Sequence, residues 1–178
     1  IVALVFSYMF TGQTGVINDI LMRAGIIKDR IPWFATGTRA MGVLIFTTTW
    51  RGIPFFAVSF LAALQSIPHD YYEAADVDGA GVIYQFLHIT MPLIRNTVIL
   101  TTMLRTIWTF NIVDIIAGMT AGGPNNATMT LPMYLMSKFN EGMDIGYSSC
   151  MAAVMALILA IFAIGYSLVG GFGKEGDL

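Results

Sequence analysis

The run from Ile145 to Gly173 contains no charged residue, and nothing else in the chain constrains its fold so tightly. A membrane-spanning helix needs about 20 mostly apolar residues, and Ser148–Val169 supplies them without interruption. In hydrocarbon every backbone polar group must be satisfied within the segment itself, so such a run is helical or it is not in a membrane. Two further runs have the required length with polar punctuation. Met41–Leu64 carries Arg51, Gly52 and Pro54 near its middle, and Leu93–Ala117 carries Arg105 and then Asp114. Ile1–Phe10 reads as the end of another span. The chain is 56% hydrophobic and only 11% charged, whereas a soluble domain carries about a quarter charged residues. These runs are therefore spans and not the core helices of a soluble protein, and the fold class is an all-α, polytopic transmembrane helix bundle.

Between the spans lie a polar loop (Thr11–Arg39), an acidic loop (Gln65–Pro92) and a turn region rich in Gly, Pro and Asn (Gly118–Asn126). Met129–Phe139 is apolar but too short to span, so it dips into the membrane or lies along it. The chain opens inside an apolar run with neither an initiator methionine nor a charged leader segment. We therefore expect residues 1–178 to be the C-terminal part of a transmembrane domain whose N-terminal helices are missing. A net charge of −2 gives no reason to expect nucleic acid. The single Cys150 excludes an internal disulfide, and the sequence has neither metal-ligand spacing nor a nucleophile–base pair. No catalytic or metal-binding residue is expected.

The acidic loop is the most patterned segment. Pro68 can start a helix and Asp70 can cap one, since a short acceptor side chain satisfies free N–H groups at a helix start. Asp70, Glu73, Asp76 and Asp78 then suit the positive end of a helix dipole. Ala74 and Ala75 leave room for close approach by another surface. Gly79 permits a sharp change of direction, and Ile83, Phe86, Leu87 and Met91 recur at helical spacing up to Pro92, which is expected to open the next span. The physical expectation is two short helices at an angle, standing outside the lipid. His69 and His88 flank them as polar interface groups.

Glu73-Ala74-Ala75, three residues, Gly79, nine residues, Ile89 and, after Thr90 and Met91, Pro92 resembles the EAA loop of ABC importer permeases, with Met91 where leucine is usual. The resemblance implies that residues 65–92 couple to a cytoplasmic ATPase. Glu73 would pair with a basic group there, Ala74 and Ala75 would allow close seating, Gly79 would make the bend, and Ile89 and Pro92 would complete the motif. The chain has no G-x-x-x-x-G-K-[ST] phosphate loop, so ATP would be bound by the partner ATPase and no cofactor by this chain. The same motif places the loop and the C-terminus in the cytoplasm of a bacterial inner membrane. Arg23, Lys28, Arg30, Arg39 and Lys138 then lie opposite, against only Arg95 and Lys174 inside, which reverses the usual positive-inside bias.

More of the chain is similar to the maltose-type, carbohydrate-importing branch. The residues that carry this are Gly15-Val16-Ile17-Asn18, Trp50-Arg51-Gly52-Ile53-Pro54-Phe55, Leu61–Pro68, Phe110 with Asp114, and Thr120-Ala121-Gly122-Gly123-Pro124. This resemblance implies a second permease subunit in a heterodimer, two copies of the ATPase, and a periplasmic or lipid-anchored solute-binding protein. It also implies a substrate site at Thr48, Arg51, Gly52, Arg105, Trp108 and Thr109. Arg105 lies 13 residues past Pro92, about 20 Å of helix, and an intramembrane charge usually faces a bundle interior or cavity. Trp108, three residues on, shares its helix face. A guanidinium beside an aromatic ring suits a hydroxylated ligand. In the alternative, Arg51 and Arg105 are neutralised by Asp114 or by a partner, Arg51 anchors a helix broken at Gly52-Ile53-Pro54, and Asp114 is a structural cap. An ion-coupled secondary transporter, built on broken helices with buried charges, and a permease for glycerol phosphate or polyols are the competing functions.

Overall fold

The computed structural model describes residues 1–142 and 144–170, apart from the Glu141 side chain. The C-terminal tail, with Lys174, lies outside the described residues. Among those described, all regular structure is helical: α1 (Val2–Met9), α2 (Val16–Arg23), α3 (Gly37–Gln65), α4 (Asp70–Val77), α5 (Val82–Gln85), a π turn (Phe86–Thr90), α6 (Met91–Phe110), α7 (Asp114–Met119), α8 (Leu131–Gly142) and α9 (Ile145–Gly170). Two of these, α3 and α9, are long and apolar enough to cross a membrane. At 29 and 26 residues they measure about 43 Å and 39 Å. Only 6% of the most apolar stretch of α9 is buried, so its side chains point outward, as hydrocarbon solvation requires of a span.

Several sequence expectations are corrected in detail. The Thr11–Arg39 loop contains α2, an amphipathic helix of about two turns. The helix α3 runs unbroken through Gly52 and Pro54, so Arg51 anchors no break. The expected span Leu93–Ala117 stops at Phe110, and after three intervening residues Asp114 begins the separate helix α7. Pro92 does not open a span either, because helical backbone is continuous from Val82 to Phe110. Proline has no N–H and its ring crowds the carbonyl four residues back. The backbone accommodates this with the π turn just ahead of it, where the Met91 N–H donates to Phe86 O.

By its contacts the chain divides into two units. The first comprises Ile1–Arg51 and Trp108–Leu157. Its core is built from Leu44, Ile115, Ile116 and Met133 on one side and Phe6, Phe10 and Val43 on the other. Asn18 is wholly buried in this unit and makes four hydrogen bonds. Its Nδ2 donates to Gly12 O (2.9 Å) and Ile31 O (3.0 Å), while its Oδ1 accepts from Ile31 N (3.3 Å) and Trp33 Nε1 (3.1 Å). A buried amide is tolerated only when satisfied in this way, and here one side chain holds the 12–33 loop closed. The Thr120–Pro124 motif is knotted similarly: buried Thr128 donates from Oγ1 to Gly123 O (2.7 Å) and shares a hydrogen bond with Thr120 Oγ1 (2.8 Å).

The second unit comprises Gly52–Ile107 and the described residues from Ile158 onward. Ile94, Ile99 and Thr101 are buried along α6. Arg95 Nη2 donates to Gly170 O (3.1 Å) at the end of α9. Along α6 the hydroxyls of Thr101 and Thr106 bond back to the carbonyls of Thr97 and Thr102, which hides them from an apolar surround.

Candidate functional sites on the acidic hairpin and spanning helices

Within the second unit, Gln65–Pro92 forms a helical hairpin. Asp70 is the first residue of α4 and not its cap. That position is His69, which makes no side-chain capping bond. His69 Nδ1 instead lies 3.4 Å from Glu73 Oε1. Asp70 and Glu73 occupy the first turn of α4, where the dipole favours negative charge, and both are exposed. The helix ends at Gly79, whose φ is +76°. Gly79 N–H donates to Asp76 O (3.0 Å) and Ala80 N–H to Ala75 O (2.9 Å). This is a Schellman ending, which satisfies the last carbonyls with a left-handed residue just past the cap. The chain then turns into α5 and the π turn. His88 stacks on Tyr84, with ring centroids 4.0 Å apart.

The angle between the two arms encloses a concave pocket of about 660 Å³ lined by Tyr71, Ala74, Ala75, Gly79, Tyr84 and Ile89, among others. Four of the six predicted coupling residues therefore share one surface. Glu73 stands exposed on α4 beside Ala74, and Pro92 is exposed at the start of α6. Small side chains at 74, 75 and 79 are what make the pocket deep.

The predicted substrate residues fall into smaller groups. In the first unit, Thr48 and Thr109 line a pocket of about 240 Å³ with Thr49, Thr130 and apolar residues including Leu44 and Ile112. The Thr130 hydroxyl is buried without a hydrogen-bond partner. Sequence reasoning missed Thr49 and Thr130. The run Thr47-Thr48-Thr49 inside an apolar span was the available signal for the former, while Thr130 is recruited by tertiary packing. Arg51 Nη1 donates to Asp114 Oδ2 at 2.7 Å, so Asp114 is a counter-ion of Arg51, as the alternative reading of the sequence has it. In the second unit, the Arg105 guanidinium lies against the backbone of buried Gly52. A Cβ placed there would be 2.8–2.9 Å from Nη2, Cζ and Nε. Trp108 is 51% exposed on α6.

Spanning helices, an exposed acidic hairpin and a threonine-lined pocket beside a span are the parts of a membrane transport component. The chain belongs to the family described as the binding-protein-dependent transport system inner membrane component, which matches residues 1–172, and it is accordingly a membrane protein. It is 40% identical over 162 residues to the sulfoquinovosyl glycerol transport system permease protein of Agrobacterium fabrum, covering 90% of this chain and 52% of that one. It is 34% identical over 167 residues to the trehalose/maltose transport system permease protein of Thermococcus litoralis, covering 94% and 56%. The chain thus spans about half the length of the curated relatives it matches. Among solved structures, a bacterial ABC transporter involved in importing the acidic polysaccharide alginate has the same fold, with a TM-score of 0.84 at 20% identity over 98% of this chain and 60% of the other.

Proposed function

We propose that this chain is part of the permease subunit of an ATP-driven importer of a sugar or related polyhydroxylated solute, with the Gln65–Pro92 hairpin docking on a separate cytoplasmic ATPase. The observation that carries this reading is the hairpin itself. An exposed acidic helix and a concave pocket floored by Ala74, Ala75 and Gly79 are joined by one fixed turn. A carboxylate at Glu73 suits a basic group on the partner, and the pocket suits a protruding side chain beside it. On this reading the hairpin and the C-terminus would be cytoplasmic, a second permease subunit would lie alongside, two ATPase copies would sit at the hairpin, and a solute-binding protein would deliver the solute at the outer face.

The solute would meet the threonine pocket. Hydroxyls of Thr48, Thr49, Thr109 and Thr130 over an apolar floor match a pyranose, which presents hydroxyl edges and apolar faces. A volume of about 240 Å³ lies below the roughly 300–1,000 Å³ of drug-sized sites, so it would take one ring at a time. Arg51, paired with Asp114, contributes a neutralised dipole and not a net charge. The relatives named for sulfoquinovosyl glycerol and trehalose/maltose transport support a polyhydroxylated solute. The test is copurification of an ATP-binding subunit with the intact complex, repeated for Glu73→Lys. Like charges at an interface cost several kcal/mol, so recovery of the ATPase should fall more than tenfold. Undiminished recovery would remove Glu73 from the docking surface.

A further inference from the structure

Beyond the coupling residues lies a cross-brace between the hairpin arms. Tyr72 OH and Thr90 Oγ1 share a hydrogen bond of 2.8 Å. Thr90 is buried, and Tyr72 is half-buried between exposed Tyr71 and Glu73, so Tyr72 is the residue of the first turn of α4 that faces inward. Its partner sits at the end of the π turn, two residues before Pro92, where the regular ladder is interrupted and the rod is most easily bent. Near the apex a second brace exists: Gln85 Nε2 donates to Asp76 Oδ1 (2.5 Å) and to Ala80 O (3.0 Å).

The two braces differ in leverage. Gly79 is the hinge, and Tyr72 lies seven residues from it, about 10 Å along helix. At that distance roughly 1 Å of slack corresponds to only about 6° of swing, whereas the Gln85 brace, close to the hinge, restrains the angle far less. We propose that the Tyr72–Thr90 hydroxyl pair makes α4 and the base of α6 move as one body, so that both are positioning residues for energy transfer from the ATPase to α6. This rests on the reading of α4 as the docking helix. A force applied to α4 then reaches α6 through a side-chain bond anchored at the π turn, and not only around the apex.

The test uses the whole complex with its ATPase and solute-binding protein in proteoliposomes, and measures solute moved per ATP hydrolysed. Tyr72→Phe and Thr90→Val remove one hydroxyl each with little change of shape. Each should keep the ATPase bound and hydrolysing, while the ratio falls roughly 3- to 10-fold, the factor one neutral hydrogen bond sets. The double variant should be no worse than either single one, because both remove the same bond. Thr90→Ser, which keeps the hydroxyl, should restore the ratio. An unchanged ratio in Tyr72→Phe, or additive losses in the double variant, would overturn the brace while leaving docking intact. Failure of the unmodified complex to retain an ATPase would instead overturn the docking reading on which the brace rests.

Discussion

Gly79 offers the sharpest test of the hairpin, because its cost can be worked from one dihedral. Its φ is +76°, and a Cβ added there meets nothing within 4 Å. Any penalty for Gly79→Ala is therefore conformational and not steric. Left-handed backbone costs an L-residue roughly 1–2 kcal/mol, so Ala should depopulate the turn by about 5- to 30-fold. Asn tolerates this region better, and Gly79→Asn should fall between Gly and Ala. Proline locks φ near −65°, about 140° away, and also removes the N–H that donates to Asp76 O. Gly79→Pro should abolish the hairpin geometry outright. The assay is solute transported per ATP in the reconstituted complex, with ATPase copurification as a control and hydrogen exchange across residues 70–92 as the structural readout. The expected order is Gly, Asn, Ala, Pro. A Gly79→Pro complex that transports at the normal rate would refute the coupling assignment, and an Asn variant as impaired as Pro would refute the backbone explanation.

Gly52→Ala should leave assembly intact, because alanine is favoured over glycine in a helix by about 1 kcal/mol and only the mobile end of Arg105 must move. Uptake should nevertheless fall, as it should in Arg105→Ala. Normal uptake would show that the guanidinium position at Gly52 does not matter to the solute. Asn18→Ala should lower the melting temperature of the purified complex and red-shift the emission of Trp33. It removes four hydrogen bonds at a wholly buried site, a loss of about 3 kcal/mol or more. An unshifted melting curve would count against the Asn18 knot.

The spans were legible because lipid imposes one rule on any sequence. A charge-free run of sufficient length must be a helix, as α9 is, and α3 lies where the long apolar run around Arg51 predicts a span. Helix breaks were not legible. A composition scan sees the apolar stretch Leu93–Ala117 as one span, yet α6 ends at Phe110 because the energy that begins α7 comes from packing Ile115 and Ile116 into the core of the first unit. Pro54 and Pro92 carry the same local signal and had different outcomes. α3 runs straight through Pro54, while the backbone before Pro92 opens into a π turn.

The acidic hairpin shows where the two kinds of information divide. Spacing alone specified its polarity, its small-residue floor and its glycine bend, since each depends on a residue's own volume, charge or allowed φ. Tertiary structure decided that Tyr72 reaches Thr90, that Arg51 meets Asp114, and that Arg105 rests on Gly52. Those pairs are 18, 63 and 53 positions apart in the chain. No local propensity reports which distant side chains will be brought within hydrogen-bond or van der Waals range, because that depends on how whole helices pack.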